Sequence, residues 1–150
     1  IETYVLAARE IDHPCYLVGS YDPALKQEML KLNSDIIFTG KLNHNDLMKL
    51  LLSSRVYCQL SFRESFGIAL AEAIACGCNP VVTDNGALPE VAGDLAEYVD
   101  YGDVPGTVLA IRKALTKELP AQDIIMIRNR FSLSAHEQIL VSTLRGINVL

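Results

Sequence analysis

The sequence predicts an α/β fold: a doubly wound parallel sheet with helices on both faces and a helical C-terminal tail. Short β-rich runs alternate with helical patterns along the chain, half of the 150 residues are hydrophobic, and 21% are charged. A chain of this length and composition is globular and can form one core. Strands that alternate with helices form right-handed crossovers, which produce a parallel sheet covered on both faces.

The predicted elements follow one another in this alternating order. The β-rich runs are 15–19 (CYLVG), 35–40 (DIIFTG), 56–60 (VYCQL), 79–83 (NPVVT) and 96–99 (AEYV). The helical patterns are 1–10 (IETYVLAARE), 23–32 (PALKQEMLKL), 44–53 (HNDLMKLLLS), 66–76 (FGIALAEAIAC) and 104–115 (VPGTVLAIRKAL). After Leu119 we expect two further helices with no strand between them, 122–131 (QDIIMIRNRF) and 134–147 (SAHEQILVSTLRGI).

The helix predicted over 44–53 illustrates the pattern. Leu47, Leu50 and Leu51 recur at three- and four-residue spacing, which makes one apolar stripe along a helix. Asn43 or Asn45 is expected to cap its first turn.

Charge, hydropathy and cysteine content exclude several function classes. The net charge of −5 argues against nucleic-acid binding, and no apolar run is long enough to span a membrane. The pair Cys76 and Cys78 could suggest a metal, but no second pair or nearby histidine completes a ligand set. Buried thiols are the favoured interpretation, and they indicate a reducing compartment, so we expect a cytoplasmic protein without a metal site.

Folds of this class bind ligands in the loops that follow the carboxyl ends of the strands. The first such loop, which starts at Gly19, has no G-x-G-x-x-G pattern, so a nicotinamide or flavin dinucleotide site is poorly supported. The second loop starts at Gly40, where a glycine lets backbone approach a flat ligand, and Lys41 and His44 lie nearby. An ordinary strand-to-helix turn explains that loop equally well.

The third loop leads into the segment 64–72 (ESFGIALAE), which has a carboxylate at each end of an apolar helical pattern. We expect Ser65 to cap a helix that begins at Phe66, which leaves the first amides of that helix free. A helix start of this kind attracts phosphate and other polar oxygens, and Gly67 lets a ligand come close.

Glu72 is expected to lie on the same helical stripe as Ser65. Seven residues make two helical turns, about 10 Å, with Ile68 and Ala69 between the two ends. A ligand with a sugar and a ribose joined by a diphosphate has about this length. One carboxylate could then contact the sugar and the other the ribose.

Both carboxylates also have a structural explanation. Glu64 could be a solvated loop residue that interacts with the helix dipole. Glu72 could form an ion pair with Arg55 or Arg63. Burying a carboxylate in an apolar helix costs several kcal/mol of folding free energy unless a polar group pairs with it. Glu72 therefore needs either such a partner or a ligand.

The segment 64–91 (ESFGIALAEAIACGCNPVVTDNGALPEV) resembles the donor-binding motif of the group 1 family of retaining glycosyltransferases, which have the GT-B fold. That family is marked by Glu-x7-Glu with Phe-Gly after the first Glu, then Glu-Ala, Gly-x-Pro-Val-Val and a Gly-rich turn into Pro-Glu. The matching residues here are Glu64, Phe66–Gly67, Glu72–Ala73, Gly77 with Pro80–Val82, Gly86, and Pro89–Glu90.

The resemblance extends over nearly the whole chain, in the order that the family has. It includes 16–30 (YLVGSYDPALKQEML), 36–61 (IIFTGKLNHNDLMKLLLSSRVYCQLS) and the closing segment 131–140 (FSLSAHEQIL). It implies that residues 1–150 are the Rossmann-like donor-binding domain of a GT-B enzyme.

The resemblance also implies a role for each matching position. Glu64 would be the catalytic residue, which contacts hydroxyls of the transferred sugar and stabilises charge at the reacting centre. Glu72 would bind the ribose. Sugar and phosphate oxygens would be held by Ser65, Phe66, Gly67, Ile68, Ala69 and Gly19. The base would be bordered by Gly40, Lys41 and Leu42.

The implied reaction is transfer of a hexose from a nucleotide-sugar, such as a UDP- or GDP-sugar, to an acceptor with retention at the anomeric carbon. The acceptor would be a sugar, a lipid-linked or another molecule, so the parent protein could act at the cytoplasmic face of a membrane. No cofactor and no metal are expected, because no Asp-x-Asp motif occurs and helix amides with basic residues neutralise the departing diphosphate.

Several features depart from the family pattern. Leu60–Ser61 stands where Pro-Ser is usual, and the paired glycines of the later turn are reduced to Gly86–Ala87. The family's basic phosphate-binding loop, the strand before it and the acceptor-binding N-terminal domain would all precede Ile1. We therefore expect a donor-binding domain truncated at its N-terminal strand, a piece of a longer protein that is inactive alone.

Three other functions stay open at this point. A nucleotide-sugar epimerase or a phosphorylase can share the GT-B architecture. The former would need its own acid/base residues and the latter a lysine that carries pyridoxal phosphate. A non-catalytic nucleotide-binding module could also keep this fold.

Overall fold

The structure, a computed structural model, describes residues 1–132 as five strands and seven α-helices in alternation. The strands are β1 (Tyr16–Val18), β2 (Ile37–Gly40), β3 (Val56–Gln59), β4 (Asn79–Thr83) and β5 (Glu97–Val99). The helices are α1 (Glu2–Ala8), α2 (Pro23–Leu32), α3 (His44–Ser53), α4 (Ile68–Ala75), α5 (Leu88–Ala92), α6 (Val104–Thr116) and α7 (Ala121–Arg130). The helix expected over 134–147 and most of the closing segment 131–140 lie outside the described residues.

All strand pairs are parallel, as predicted, and they form two sets. β1 pairs with β2, and β4 lies between β3 and β5. Within residues 1–132 no ladder joins β1 to β3. Tyr4 of α1 packs against the hydrophobic cluster of β1 and β2 and also against that of β3, β4 and β5. Side-chain packing therefore connects the two sets of strands although no backbone hydrogen bonds between described residues do.

Helices cover both faces of the three-stranded set, which confirms the doubly wound architecture. Successive residues of a strand point to opposite faces. Val81 packs with residues of α1 and α6, whereas its neighbour Val82 packs with residues of α4, α5 and α7. Every residue of β4 is therefore buried.

Local sequence signals set several boundaries as predicted. The bounds of α2, α3 and β4 coincide with the predicted segments 23–32, 44–53 and 79–83. The side chain of Asn43 accepts a hydrogen bond of 2.9 Å from the amide of Asp46 and so caps α3. Because Asn43 is the cap, Asn45 is an ordinary residue of the first turn.

The helix predicted over 66–76 is shorter than expected. α4 runs from Ile68 to Ala75. It begins only at Ile68 because Gly67 has a φ of 67°, which does not belong to a right-handed helix. The sequence pattern did not predict α5, a helix of five residues that begins one residue before Pro89 and is followed by a 3-10 turn at Gly93–Leu95.

Two further observations concern thiols and membranes. The thiol of Cys78 is fully buried and donates to the carbonyl of Leu51 at 3.2 Å, and all four cysteines are free. None of the helices in residues 1–132 combines the length and the apolar character that crossing a bilayer requires.

Candidate functional site

The loops after the strands come together in two pairs. The amide of Gly19 donates to the carbonyl of Gly40 at 3.0 Å, which joins the first and second loops. The hydroxyl of Thr83 donates to the carbonyl of Ser61 at 2.6 Å, which joins the third loop, starting at Ser61 after β3, to a fourth loop that starts at Thr83 at the end of β4. No hydrogen bond between residues of the described chain links one pair to the other.

Glu64 lies in the third loop, and both of its carboxylate oxygens accept hydrogen bonds. The amide of Ser65 donates to Oε1 at 3.0 Å and that of Phe66 at 3.4 Å. The side-chain amide of Gln59, at the end of β3, donates to Oε2 at 2.6 Å. Hydrogen bonds from the backbone amides of Phe66 and Gly67 hold the pKa of Glu64 below its ordinary value, so this carboxylate is ionised at neutral pH.

The start of α4 differs from the prediction. Gly67 is the N-cap, and no side chain caps the helix, so Ser65 is an exposed loop residue and not a cap. Ser65 and Glu72 are therefore not separated by two helical turns, because only the part from Ile68 onward is helical. The amide of Phe66 is not free, since it faces the carboxylate of Glu64.

The first turn of α4 is open to solvent, as the prediction required. Ile68 is 64% exposed and Phe66 just before it is 74% exposed, whereas the opposite side of the helix is buried. The first hydrogen bond of the helix runs from Ala71 to the carbonyl of Gly67. The amides of residues 68–70 consequently have no acceptor within the helix, and they form its positive end.

Gly67 is favoured by its backbone angle, and its surroundings leave little room for a side chain. A Cβ at this position would lie 3.3 Å from a methyl group of Val91 in α5. The glycine thus lets the start of α4 pack against α5. Gly67 itself is buried, whereas Ile68 and Ala69 next to it are exposed.

Glu72 is partly exposed and lies one turn after Ile68 on the same side of α4. Neither of the proposed structural partners reaches it. Arg55 approaches Glu118 at 3.7 Å, and the guanidinium of Arg63 lies 5.8 Å from the ring of Phe62. Within residues 1–132 the carboxylate of Glu72 has no ion pair or hydrogen bond.

Tyr57 of β3 lies near both carboxylates. Burial raises the pKa of its hydroxyl, and the negative charges of Glu64 and Glu72 raise it further. The hydroxyl stays protonated and donates to the side-chain oxygen of Gln59 at 3.2 Å.

The first and second loops present backbone to solvent. Gly19 and Gly40 have φ angles of 131° and 71°, and a Cβ at either would meet no atom within 4 Å. Lys41 is exposed and Leu42 half-buried, and His44 begins α3 as an exposed residue.

Sequence reasoning missed Tyr57 and Gln59. They are two residues apart on β3, and strand periodicity puts them on one face. A polar Gln59 at the carboxyl end of a half-buried strand is the signal that could have indicated it. The loop that starts at Thr83 was expected to face a ligand because it follows a strand, but its contact with Glu64 was not predicted: the amide of Ala87 donates to the carbonyl of Glu64 at 3.0 Å.

In the part of the chain that the structure describes, no group of 3 or more His, Cys, Asp or Glu side chains has a metal-binding arrangement. Cys76 and Cys78 accordingly do not belong to a larger ligand set within residues 1–132.

Comparison with known proteins identifies the family. Residues 5–130 match the family described as "Glycosyl transferases group 1". N-acetyl-alpha-D-glucosaminyl L-malate synthase of Bacillus anthracis is 31% identical over 112 residues, which make up 71% of this chain and 29% of that protein. Serotype-specific mannosyltransferase WbdA of Escherichia coli is 30% identical over 127 residues, which make up 79% of this chain and 16% of that protein.

Among solved structures, sucrose-phosphate synthase from Thermosynechococcus elongatus superposes with a TM-score of 0.82 at 23% identity. The superposition covers 99% of this chain and 42% of that chain, and it supports the fold, one Rossmann-like half of a GT-B glycosyltransferase. This chain spans 29% of the length of the Bacillus anthracis relative and 16% of that of the Escherichia coli relative. Because the family match covers most of its length, the chain belongs to the glycosyl transferases group 1 family.

Proposed function

We propose that this chain is the donor-binding half of a glycosyltransferase that transfers a hexose from a nucleotide-diphosphate-sugar to an acceptor with retention of configuration. The observation that carries the proposal is the pair of carboxylates at the open start of α4. Glu64 is held by Gln59 and by backbone amides, and Glu72 has no protein partner within residues 1–132. Family membership supplies the reaction class.

Glu64 is proposed as the catalytic residue, next to the anomeric carbon of the donor sugar. Positive charge develops at that carbon as the bond to the diphosphate breaks, and a fixed negative charge stabilises it. An ionised carboxylate can accept about four hydrogen bonds, and Glu64 accepts three from the protein within residues 1–132, so it keeps acceptor capacity for one sugar hydroxyl.

The diphosphate and sugar oxygens are proposed to lie at the positive end of α4. The amides of Ile68 and Ala69 have no acceptor within the helix, and the exposed first turn leaves them accessible. Ser65, Phe66, Gly67 and Gly19 complete this part of the proposed site. The helix end favours the charge that builds up on the departing diphosphate, which is why we propose that no divalent metal is required.

Glu72 is proposed to bind the ribose hydroxyls, because its unpaired carboxylate lies one turn beyond the helix start. The base is proposed to lie against the open backbone of Gly40, with Lys41 and Leu42 at its border. The acceptor, a sugar, a lipid-linked or another molecule, is proposed to bind mainly to parts of the protein outside this chain. We place the reaction in the cytoplasm, because four free cysteines suit a reducing compartment.

The names of the relatives fit transfer of a sugar. One relative is named an N-acetyl-alpha-D-glucosaminyl L-malate synthase and another a mannosyltransferase. The two names do not give one common acceptor, so the test covers several.

The full-length protein is assayed with UDP- and GDP-sugars and an acceptor panel that starts with L-malate and simple sugars. We expect release of nucleoside diphosphate together with a glycosylated product whose anomeric configuration, read by NMR, matches that of the donor. An epimerase would change the donor sugar without releasing nucleoside diphosphate, and a phosphorylase would produce a sugar phosphate. Binding of nucleoside diphosphate with no turnover on any donor would leave the non-catalytic module as the better explanation.

A further inference from the structure

Gln59 occupies an unusual position for a polar side chain. It is the last residue of β3, a strand whose four residues are all half-buried, and its side chain reaches forward into the third loop. Its amide nitrogen lies 2.6 Å from Oε2 of Glu64, which is the shortest of the hydrogen bonds to that carboxylate.

The orientation of the Gln59 amide is fixed by its two neighbours. An ionised carboxylate only accepts hydrogen bonds, so Gln59 must turn its NH₂ group toward Glu64. Its oxygen then faces the hydroxyl of Tyr57, which donates at 3.2 Å. Only one orientation of the Gln59 side chain lets it form both hydrogen bonds, one to Tyr57 and one to Glu64. Tyr57 is itself held in place by packing against the hydrophobic core.

The remaining contacts of Glu64 hold its other oxygen and its backbone. Oε1 faces the amides of Ser65 and Phe66, and the carbonyl oxygen accepts from Ala87. Gln59 is thus the only side chain within residues 1–132 that donates to this carboxylate. Without it, the carboxylate could rotate about its terminal torsions, because Oε2 would have no partner.

We propose that Gln59 is a positioning residue for Glu64, which holds the carboxylate in the one orientation that serves the reaction. The inference rests on the proposed function, since it takes Glu64 as the group beside the reacting sugar. The side-chain hydrogen bonds of Gln59 within residues 1–132 are to Tyr57 and Glu64, so its proposed effect on the reaction runs through Glu64 and not through the ribose or the base. Its loss must therefore affect the chemical step and not donor affinity.

The test uses the full-length protein and the variant Gln59→Met, which keeps the length of the side chain but removes the donor and the acceptor. We expect kcat to fall by about 10- to 100-fold, because a small displacement of a catalytic group costs that much. The donor KM and the Kd of nucleoside diphosphate are expected to stay within about twofold. The matched control is Gln27→Met, the same change at an exposed position of α2, which is expected to leave all three values unchanged.

A double variant separates positioning from a general structural effect. In a Glu64→Gln background, Gln59→Met is expected to lower kcat by less than about threefold, because no carboxylate is left to position. A merely structural role would give the same further loss in both backgrounds. Equal losses, or a kcat for Gln59→Met within about threefold of the parent, would overturn the proposal.

A second readout does not depend on turnover. The hydrogen bond from Gln59 contributes to the lowered pKa of Glu64. NMR titration of ¹³C-labelled glutamate carboxyls should show a higher pKa for Glu64 in Gln59→Met and no change in Gln27→Met. If Gln59→Met does not fold, Gln59→Leu, which also removes the donor to Glu64, is titrated in its place with the same expectation. An unchanged Glu64 pKa in the variant that folds overturns the proposal.

Failure of this inference is distinguishable from failure of the proposed function. If Glu64→Gln leaves kcat unchanged, the catalytic role of Glu64 is wrong, and the positioning role falls with it. If Glu64→Gln lowers kcat strongly and Gln59→Met does not, only the role of Gln59 is wrong.

Discussion

The backbone of Gly86 lies directly against the backbone of Glu64. The amide of Ala87 donates to the carbonyl of Glu64 at 3.0 Å, and a Cβ at Gly86 would overlap that carbonyl oxygen. Gly86 also has a φ of 60°, a backbone conformation that other residues rarely adopt. The turn after β4 therefore fixes the loop that carries Glu64, and it can do so only with a glycine.

Gly86→Ala is expected to displace the Glu64 loop. The added methyl group must push away backbone and not a flexible side chain, so we expect the unfolding free energy to fall by about 2 kcal/mol or more. The control Gly102→Ala also has a positive φ, 86°, but open space around it. It should cost about 1 kcal/mol. Denaturant unfolding of both variants measures the difference, and equal losses would show that the contact with Glu64 does not matter.

Glu64→Gln is expected to lower kcat by about 10²–10³ with little change in donor KM, because it removes one preorganised charge from the reacting centre. The steady-state kinetics of the full-length protein measure both constants. Glu118→Gln serves as the control, since the Glu118 side chain is 87% exposed and lies outside the proposed site. A kcat for Glu64→Gln within about threefold of the parent, with an unchanged melting temperature, would falsify the catalytic assignment.

Glu72→Gln is expected to act mainly on donor affinity. The ribose does not change during transfer, so its contacts are similar in the ground and transition states, and we expect donor KM to rise by about 10-fold at nearly constant kcat. Calorimetry with nucleoside diphosphate should show the same loss. Equal affinity for nucleoside diphosphate in parent and variant would contradict the ribose assignment.

Transfer by the full-length protein is expected to be independent of divalent cations. The positive end of α4 is proposed to neutralise the diphosphate, with basic residues outside this chain. Turnover is measured with and without EDTA, and product release is followed separately so that slow release is not mistaken for lost chemistry. Complete loss of turnover in EDTA that magnesium or manganese restores would contradict this prediction.

Glu97 is expected to make stability dependent on pH. Its side chain is 13% exposed; burial raises its pKa, but hydrogen bonds from Lys113 and Lys117 outweigh burial and leave the pKa below the ordinary value of 4.5. A lowered pKa means that the carboxylate stabilises the fold above pH 4.5 and loses this effect as the pH falls through its folded-state pKa.

Glu97→Gln should therefore lower the unfolding free energy by about 1 kcal/mol at pH 7, because the two lysines are partly exposed and the pairing is screened. The difference from the parent should shrink below pH 4.5. Chemical unfolding at a series of pH values tests it. A difference that stays constant as the pH falls from about 7 to about 3 would mean that the charge is not what stabilises this site.

The sequence by itself determined the alternation of strands and helices, because each element has a local signal. The apolar stripe of α3 and its Asn43 cap lie within a dozen residues, and the fully apolar run of β4 marks a buried parallel strand. The same local reading marked the loop with Glu64 and the exposed residues 68 and 69 as the place to look for a ligand.

Only the tertiary structure decided how that loop is built. Gly67 has a left-handed conformation, so α4 starts only at Ile68, and Val91 of α5 lies where a side chain at position 67 would point. Gln59, at the end of β3, forms a hydrogen bond to the side chain of Glu64 five residues later. Gly86 and Ala87, which follow β4, contact the backbone of Glu64. Such contacts depend on which strands become neighbours in the sheet. The pattern of hydrophobic residues within one segment does not show which residues of another segment will lie next to it.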